Sequence, residues 1–403
     1  MGEDHRIILT LTRAHQQRMM KLFYSERVLL RRFLVRFPAL IVFIVMFLSP
    51  LTVKAQILHD SAAINIITKG MYSIYNMDFE GAEEAYREIA SLYPDHPVLD
   101  LYSGMMIYWK NFPMMPSSGE SIEFEDRMRR CIEKSENYPP PGKGYEAEYL
   151  LSNISARGLL LLFFADNDLS NNVIPLVTSS YRPLMKTFNY SSNYPDFYYF
   201  TGVYNYYRDA YPRVYPVYKT VAFLFPAGDL AKGLKQLEIC GNESMALRAE
   251  AIVMLYWIRM NFEMDFKAAL PFAEYLNNSY PNNPLYRVYY IKNLLLLKQY
   301  NKAESIISAS PTRRNDEFYN GVSYIFRGII AEKKYKDNVL ASSYYKTGIG
   351  ILGRFGSYTN EYAAYGYFGL SRIGEDSADK HERKVNHRKA MELADFKKIN
   401  FDD

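Results

Sequence analysis

Tyr93-Pro94-Asp95-His96-Pro97 and Tyr280-Pro281-Asn282-Asn283-Pro284 are two versions of one phrase, and their setting decides the fold. Each closes a stretch of helical pattern, and each has an alanine twelve residues before its first proline: Ala82 before Pro94, Ala269 before Pro281. Self-similarity of this kind marks a chain built from repeated helical hairpins. The small residue lets paired helices approach closely, and the proline stops the second helix. Such arrays are binding surfaces more often than catalysts.

Around the first copy the pattern is complete. Apolar residues recur at helical spacing from Ala63 to Tyr75, with Gly70 among them. Met77-Asp78-Phe79 makes a turn, and a second helix runs through Ala82, Tyr86 and Ile89 to Pro94. Gly70, Ala82, Tyr86 and Pro94 stand at the intervals of the small, alanine, aromatic and proline positions of the tetratricopeptide repeat. On those residues the segment resembles that repeat. Gly104 follows Gly70 by 34 residues, Ala303 follows Ala269 by 34, and Gly233 precedes Ala269 by 36. Further on, Lys334-Tyr335-Lys336-Asp337 leads to Ala341 and Tyr345. A last hairpin over residues 360–395 ends in a charged helix that suits a terminal cap. The resemblance implies an all-α fold: a right-handed α-solenoid of TPR-like hairpins over residues 56–403, about seven in number.

The first 55 residues read differently. No charge lies between Arg36 and Lys54, and Ala39 to Leu48 is an unbroken apolar run. Arg27, Arg31, Arg32 and Arg36 precede it, and Val53-Lys54-Ala55 follows. A basic region, a short apolar core and small residues at the last and third-last positions make residues 1–55 a signal peptide, with cleavage predicted after Ala55. The other reading is a retained anchor, but the apolar run is short against the ~20 residues of a bilayer span and is bracketed by Pro38 and Pro50. Met19 or Met20 would make a more ordinary start. Residues 1–55 hold 9 of the 48 Lys and Arg and 3 of the 44 Asp and Glu, leaving a net charge of about −2 for the remainder. The basic balance therefore belongs to the export signal, and it gives no ground for a nucleic-acid partner. The expected home is the periplasm of a Gram-negative bacterium, with no integral membrane span in the mature protein.

Two stretches break the period. Residues 111–120 form a loop inside the second unit. Gly202 and Gly233 stand 31 residues apart where the repeat needs 12, so an insertion is expected over residues 204–228. Its density of tyrosine is unusual even in a chain with 37 Tyr and 24 Phe. The motifs Gly202-x-Tyr204-x-Tyr206-Tyr207, Pro216-Val-Tyr-Lys219 and Phe225-Pro-Ala-Gly-Asp229 resemble the middle of exported bacterial tetratricopeptide-repeat proteins. A fainter likeness runs to eukaryotic inclusion-body-clearance proteins. No functional residue follows from either.

Catalytic and metal constellations are thin. His381 and His387, six residues apart, project from different faces of a helix. His96 reads as a solvated turn residue. Pro139-Pro140-Pro141-Gly142-Lys143-Gly144 lacks the spacing and hydroxyl of a phosphate loop. Cys131 and Cys240 read as buried free thiols. No enzymatic activity, metal or cofactor is expected. Two binding functions fit. The first is a scaffold for a protein or peptide partner in the cell envelope, with Met71, Tyr75, Met105 and Trp109 along a concave groove. The second is a small-ligand or glycan pocket at the insertion, using Tyr206, Tyr207, Arg208, Tyr211, Arg213 and Tyr218. N-terminal sequencing of envelope-fraction protein should start at Gln56 or within a few residues, and an intact apolar segment in a membrane pellet would instead make it an anchor.

Overall fold

Short polar residues start the helices, and one kind of turn reverses them. The computed structural model describes residues 56–116, 118–137, 145–214, 225–309, 316–374 and 380–402. Residues 1–55, expected to be a signal peptide, the Pro139–Gly144 connection and Tyr218 lie outside the described residues. The first eight helices are α1 (Ser61–Tyr75), α2 (Phe79–Leu92), α3 (Val98–Lys110), α4 (Gly119–Asn137), α5 (Glu146–Asp166), α6 (Ser170–Thr187), α7 (Phe197–Val214) and α8 (Leu230–Glu243). There follow α9 (Arg248–Trp257), α10 (Phe266–Ser279), α11 (Pro284–Leu296), α12 (Tyr300–Ala309), α13 (Glu317–Ile330), α14 (Asn338–Leu352), α15 (Asn360–Ile373) and α16 (Lys380–Leu393). No strand occurs among the described residues, so the fold is all-α.

Five helix pairs are joined by the same device. Met77, Asp168, Met264, Lys298 and Lys336 take left-handed backbone angles, with φ of 56°, 55°, 52°, 58° and 57°. The amide after each reaches back five or six residues, as Asp78 N does to Ser73 O at 2.9 Å and Asp337 N to Ala331 O at 3.0 Å. That bond takes up a carbonyl left over at the end of the preceding helix. At three of the five the same residue then caps the next helix: Asp78, Asp265 and Asp337 accept from Gly81 N, Ala268 N and Leu340 N. One residue turns the chain and its neighbour restarts it.

Consecutive helices pack side by side, and α1, α3 and α5 also touch one another in turn, as do α11, α13 and α15. Small residues set the approach. Ala82 and Ala269 are fully buried, and Tyr102 Oη donates to Ala82 O at 3.0 Å. A Cβ on Gly233 would stand 2.7 Å from Tyr206 N, so α7 and α8 cross backbone against backbone there. Cys131 and Cys240 are buried free thiols, and burial raises both above the ordinary thiol range.

The groove expected along α1 and α3 is occupied by the chain itself. Tyr75 is 2% exposed and Trp109 9%. Tyr75 sets its ring against Trp109 and Tyr280, each with centroids 5.9 Å apart. Trp109 stacks on Phe112 at 5.4 Å, and Phe112 meets Phe318 at 5.4 Å and Tyr358 at 5.1 Å. The second copy of the repeated phrase docks on the end of α1: Asn283 Nδ2 donates to Tyr75 O at 2.8 Å, and Asn282 N to Asn76 Oδ1 at 3.1 Å. Tyr75 and Trp109 are thus core residues, because these aromatics are too apolar to leave in an open trough when the C-terminal half can cover them.

The insertion is also partly regular. Residues 204–214 continue α7 as helix, and the rest of the stretch that the structure describes, Phe225 to Asp229, leads into α8. The reason is legible: Tyr204, Tyr207, Arg208 and Tyr211 recur at helical spacing. Helix α5 is long and apolar enough to cross a membrane by composition, but 67% of its apolar window is buried inside the protein. It is the central helix of the first half.

Ala82→Leu and Ala269→Leu should each lower stability by ~1–3 kcal/mol through overpacking. Lys336→Gly should raise it by up to ~1 kcal/mol by relieving the left-handed backbone. Urea unfolding reads all three, and equal small effects would contradict this packing.

A candidate ligand cavity beside an aromatic pocket

The faces of α1, α3 and α5 that turn toward one another are apolar, yet they do not close completely. Ile67 and Met71 from α1, Leu101 and Met105 from α3, and Leu151 and Leu159 from α5 line a cavity of ≈ 390 Å³. Tyr199 and Phe200 of α7 form one wall, and Ile57 and Leu58 another. The roof is Met245, Ala246 and Leu247, the segment that leads into α9. Buried Asp196 fixes that roof, since its carboxylate accepts from Met245 N, Ala246 N and Leu247 N at 3.1, 2.9 and 3.1 Å. A volume of this size lies within the range of small-molecule sites.

Few polar groups reach the cavity. Glu148, buried on α5, accepts from Leu58 N at 3.2 Å and lies 3.4 Å from His96 Nε2. His96 Nδ1 accepts from Val98 N at 3.1 Å, so the ring proton stands on Nε2, facing Glu148. The solvated role expected for His96 is therefore wrong: the residue is 7% exposed, because its turn is folded under α5 with its ring against Tyr149. Glu250, in the first turn of α9, is different. It lines the cavity, and its Oε2 is buried with no hydrogen-bond partner among the described residues. Burial pushes its carboxyl up to about 8. Among the described lining residues there is no Lys or Arg.

A second pocket, of ≈ 480 Å³, lies on the other side of the same wall. It is lined by Tyr204, Tyr207, Arg208 and Tyr211 of α7, with Tyr181 and Leu184 of α6 and with Phe225. Gly158, Leu161, Tyr199 and Phe200 border both spaces. A Cβ on Gly158 would meet nothing within 4 Å, although the residue sits mid-helix in α5. Glycine there costs helix stability of ~1 kcal/mol relative to alanine without relieving any packing contact, and what it leaves is space.

The residues expected at the insertion part company here. Tyr207, Arg208 and Tyr211 come together at the second pocket, with Tyr211 39% exposed. Arg208 Nη2 donates to Phe225 O at 3.0 Å and so ties the far side of the pocket to α7. Tyr206 faces the other way, buried, with its hydroxyl 3.3 Å from Glu263 Oε1. Arg213 pairs with Asp209 at 2.8 Å on the exposed flank of α7 and takes no part in the pocket. Glu250 and Gly158 were missed by reading for motifs. Their signals are a lone acid in the apolar run Ala249-Glu250-Ala251-Ile252 and a glycine inside Arg157-Gly158-Leu159-Leu160. Among the described residues no group of three or more His, Cys, Asp or Glu is placed to hold a metal ion.

Two buried carboxyls make stability depend on pH. Burial raises Glu250 from 4.5 to about 8. It also raises Asp166 from 3.8 to about 7, with Asp395 adding to the effect. The folded protein keeps protons there that the unfolded chain has released. Stability is therefore fully present at low pH and is lost as pH rises through those raised values. The thermal midpoint should fall between pH 5 and about 8. Glu250→Gln should flatten the upper part of that fall, and an unchanged slope would mean that the carboxyl is hydrated. Neither protein-family models nor curated proteins match this chain, so the reading of the cavity rests on its own residues.

Proposed function

We propose that the protein is a non-enzymatic binding protein for a small, mostly apolar ligand. One observation carries the reading, the apolar cavity of ≈ 390 Å³ that opens between α1, α3, α5, α7 and the segment before α9, with Leu162 exposed at its edge. An apolar hollow of this size leaves its lining short of the contacts that a close-packed interior would give it and exposes apolar surface to water. Gly158 adds to that cost from within a helix. A ligand that fills the space offsets both.

The architecture fits a right-handed α-solenoid of TPR-like hairpins whose concave side is folded over by its own C-terminal half. The spacing of Gly70, Ala82, Tyr86 and Pro94 and the five left-handed turns support this. The peptide-scaffold reading loses two of its anchors, since Tyr75 and Trp109 are shut into the core. The small-ligand reading gains a chamber next to the tyrosines that first suggested it. Export to the periplasm, proposed on the N-terminal pattern, would bring such a protein close to amphiphilic molecules of the envelope.

Gly158→Leu tests the reading cleanly. The new side chain enters open space, and a helix former replaces glycine, so stability should hold or rise by ~0.5–1 kcal/mol. Binding of an environment-sensitive apolar probe such as N-phenylnaphthylamine should weaken by about tenfold or more in the variant. If the unaltered protein takes up no apolar probe, or the variant binds it equally well, the cavity is not a ligand site.

A further inference from the structure

We infer that the ligand of this cavity carries a protonated amine on an apolar body, and that Glu250 is the residue that receives it. The inference deepens the reading just given and rests on it. The geometry comes first. Glu250 lines the cavity, and among the described residues its buried Oε2 has no hydrogen-bond partner. A buried polar atom left in that state is costly, and a donor that reaches it offsets that cost. The other acid in the cavity is already engaged, because Glu148 holds Leu58 N and faces His96 Nε2. Of the two acids, Glu250 is the one left with a carboxyl oxygen to offer.

What it receives follows from the charges around it. The described lining residues include two carboxyl side chains and no Lys or Arg. An anionic headgroup would meet Glu148 and any ionised form of Glu250, and the one described lining side chain that could carry positive charge there, His96, already faces Glu148. A neutral hydroxyl would donate one hydrogen bond but bring no charge to balance an ionised Glu250. An ammonium group supplies both hydrogen-bond donors and the opposite charge, and charge-assisted bonds are the stronger kind. The surroundings suit this. Glu250 stands in the first turn of α9, where the helix dipole favours a negative charge. Tyr280 and Tyr286, from the end of α10 and the start of α11, are the titratable groups that feel it from the facing elements. Arg248, two residues earlier on the same helix, turns away to donate to Asn242 O at 2.9 Å. Burial raises the empty carboxyl to about 8, and a bound cation would draw it back into the ionised form.

The test uses one chain length and three headgroups. Dodecylammonium, dodecanol and dodecanoate are titrated against N-phenylnaphthylamine bound to the purified protein. The ammonium should displace the probe at concentrations at least about tenfold below those of the alcohol, with the carboxylate weakest. Glu250→Gln, close in shape, should bring the ratio of ammonium to alcohol affinity to about one. Its circular dichroism at pH 6 reports whether the fold is kept. A carboxylate that binds best, or an ammonium preference that survives in Glu250→Gln, overturns the inference while leaving the cavity as a ligand site. Failure of the unaltered protein to take up the probe at all overturns both.

Discussion

The carboxylate of Asp196 holds three successive amides, Met245 to Leu247, and much of the molecule depends on that grip. The segment it pins is where the chain turns back over the inner faces of α1, α3 and α5. Without it the roof of the cavity would have no fixed height, and the approach to α9, whose N-cap Leu247 offers no side-chain hydrogen bond, would be unanchored. The same bonds set the direction of the first turn of α9 and so aim Glu250. Asp196 is buried, and its desolvation is tolerable because its acceptor sites are filled by backbone donors. One side chain thus joins the two halves of the fold and shapes the site between them.

Local chemistry was the legible part of the sequence. The helices around Ala82 and Ala269, the turn at Met77-Asp78 and the loop after Lys110 all follow from residues within a few positions of one another. The burial of Tyr75 and Trp109 does not. It depends on Tyr280, Tyr286 and Phe318, residues far along the chain, and periodicity describes a helix face without saying what will cover it. The window at Tyr204 shows the opposite failure. Its length pointed to an irregular insertion, while its spacing carried the helical answer, with the tyrosines of α7 sorted by face: Tyr206 to the core, Tyr207 and Tyr211 to the pocket.

The candidate site was legible by half for the same reason. Tyr207, Arg208 and Tyr211 announced themselves by type, because aromatic and basic residues in a cluster draw attention. Gly158 and Glu250 act through what they leave undone. One adds no side chain where there is room for it, and the other keeps one carboxyl oxygen unpaired among the described residues. His96 was misread because its turn looked polar, and only the position of Glu148 on the neighbouring helix explains its burial.

Gly158 also bears on how the protein would behave in the cell. A helix weakened in its middle, beside a space that the protein does not fill, leaves part of the folding free energy to be supplied from outside. A molecule that occupied the space would bind the folded state and stabilise it by mass action. Folded abundance would then track the supply of that molecule. When the molecule is scarce, the unfolded fraction rises and proteases draw on it. The empty wall of α5 would in this way make the amount of protein a record of how much ligand is present.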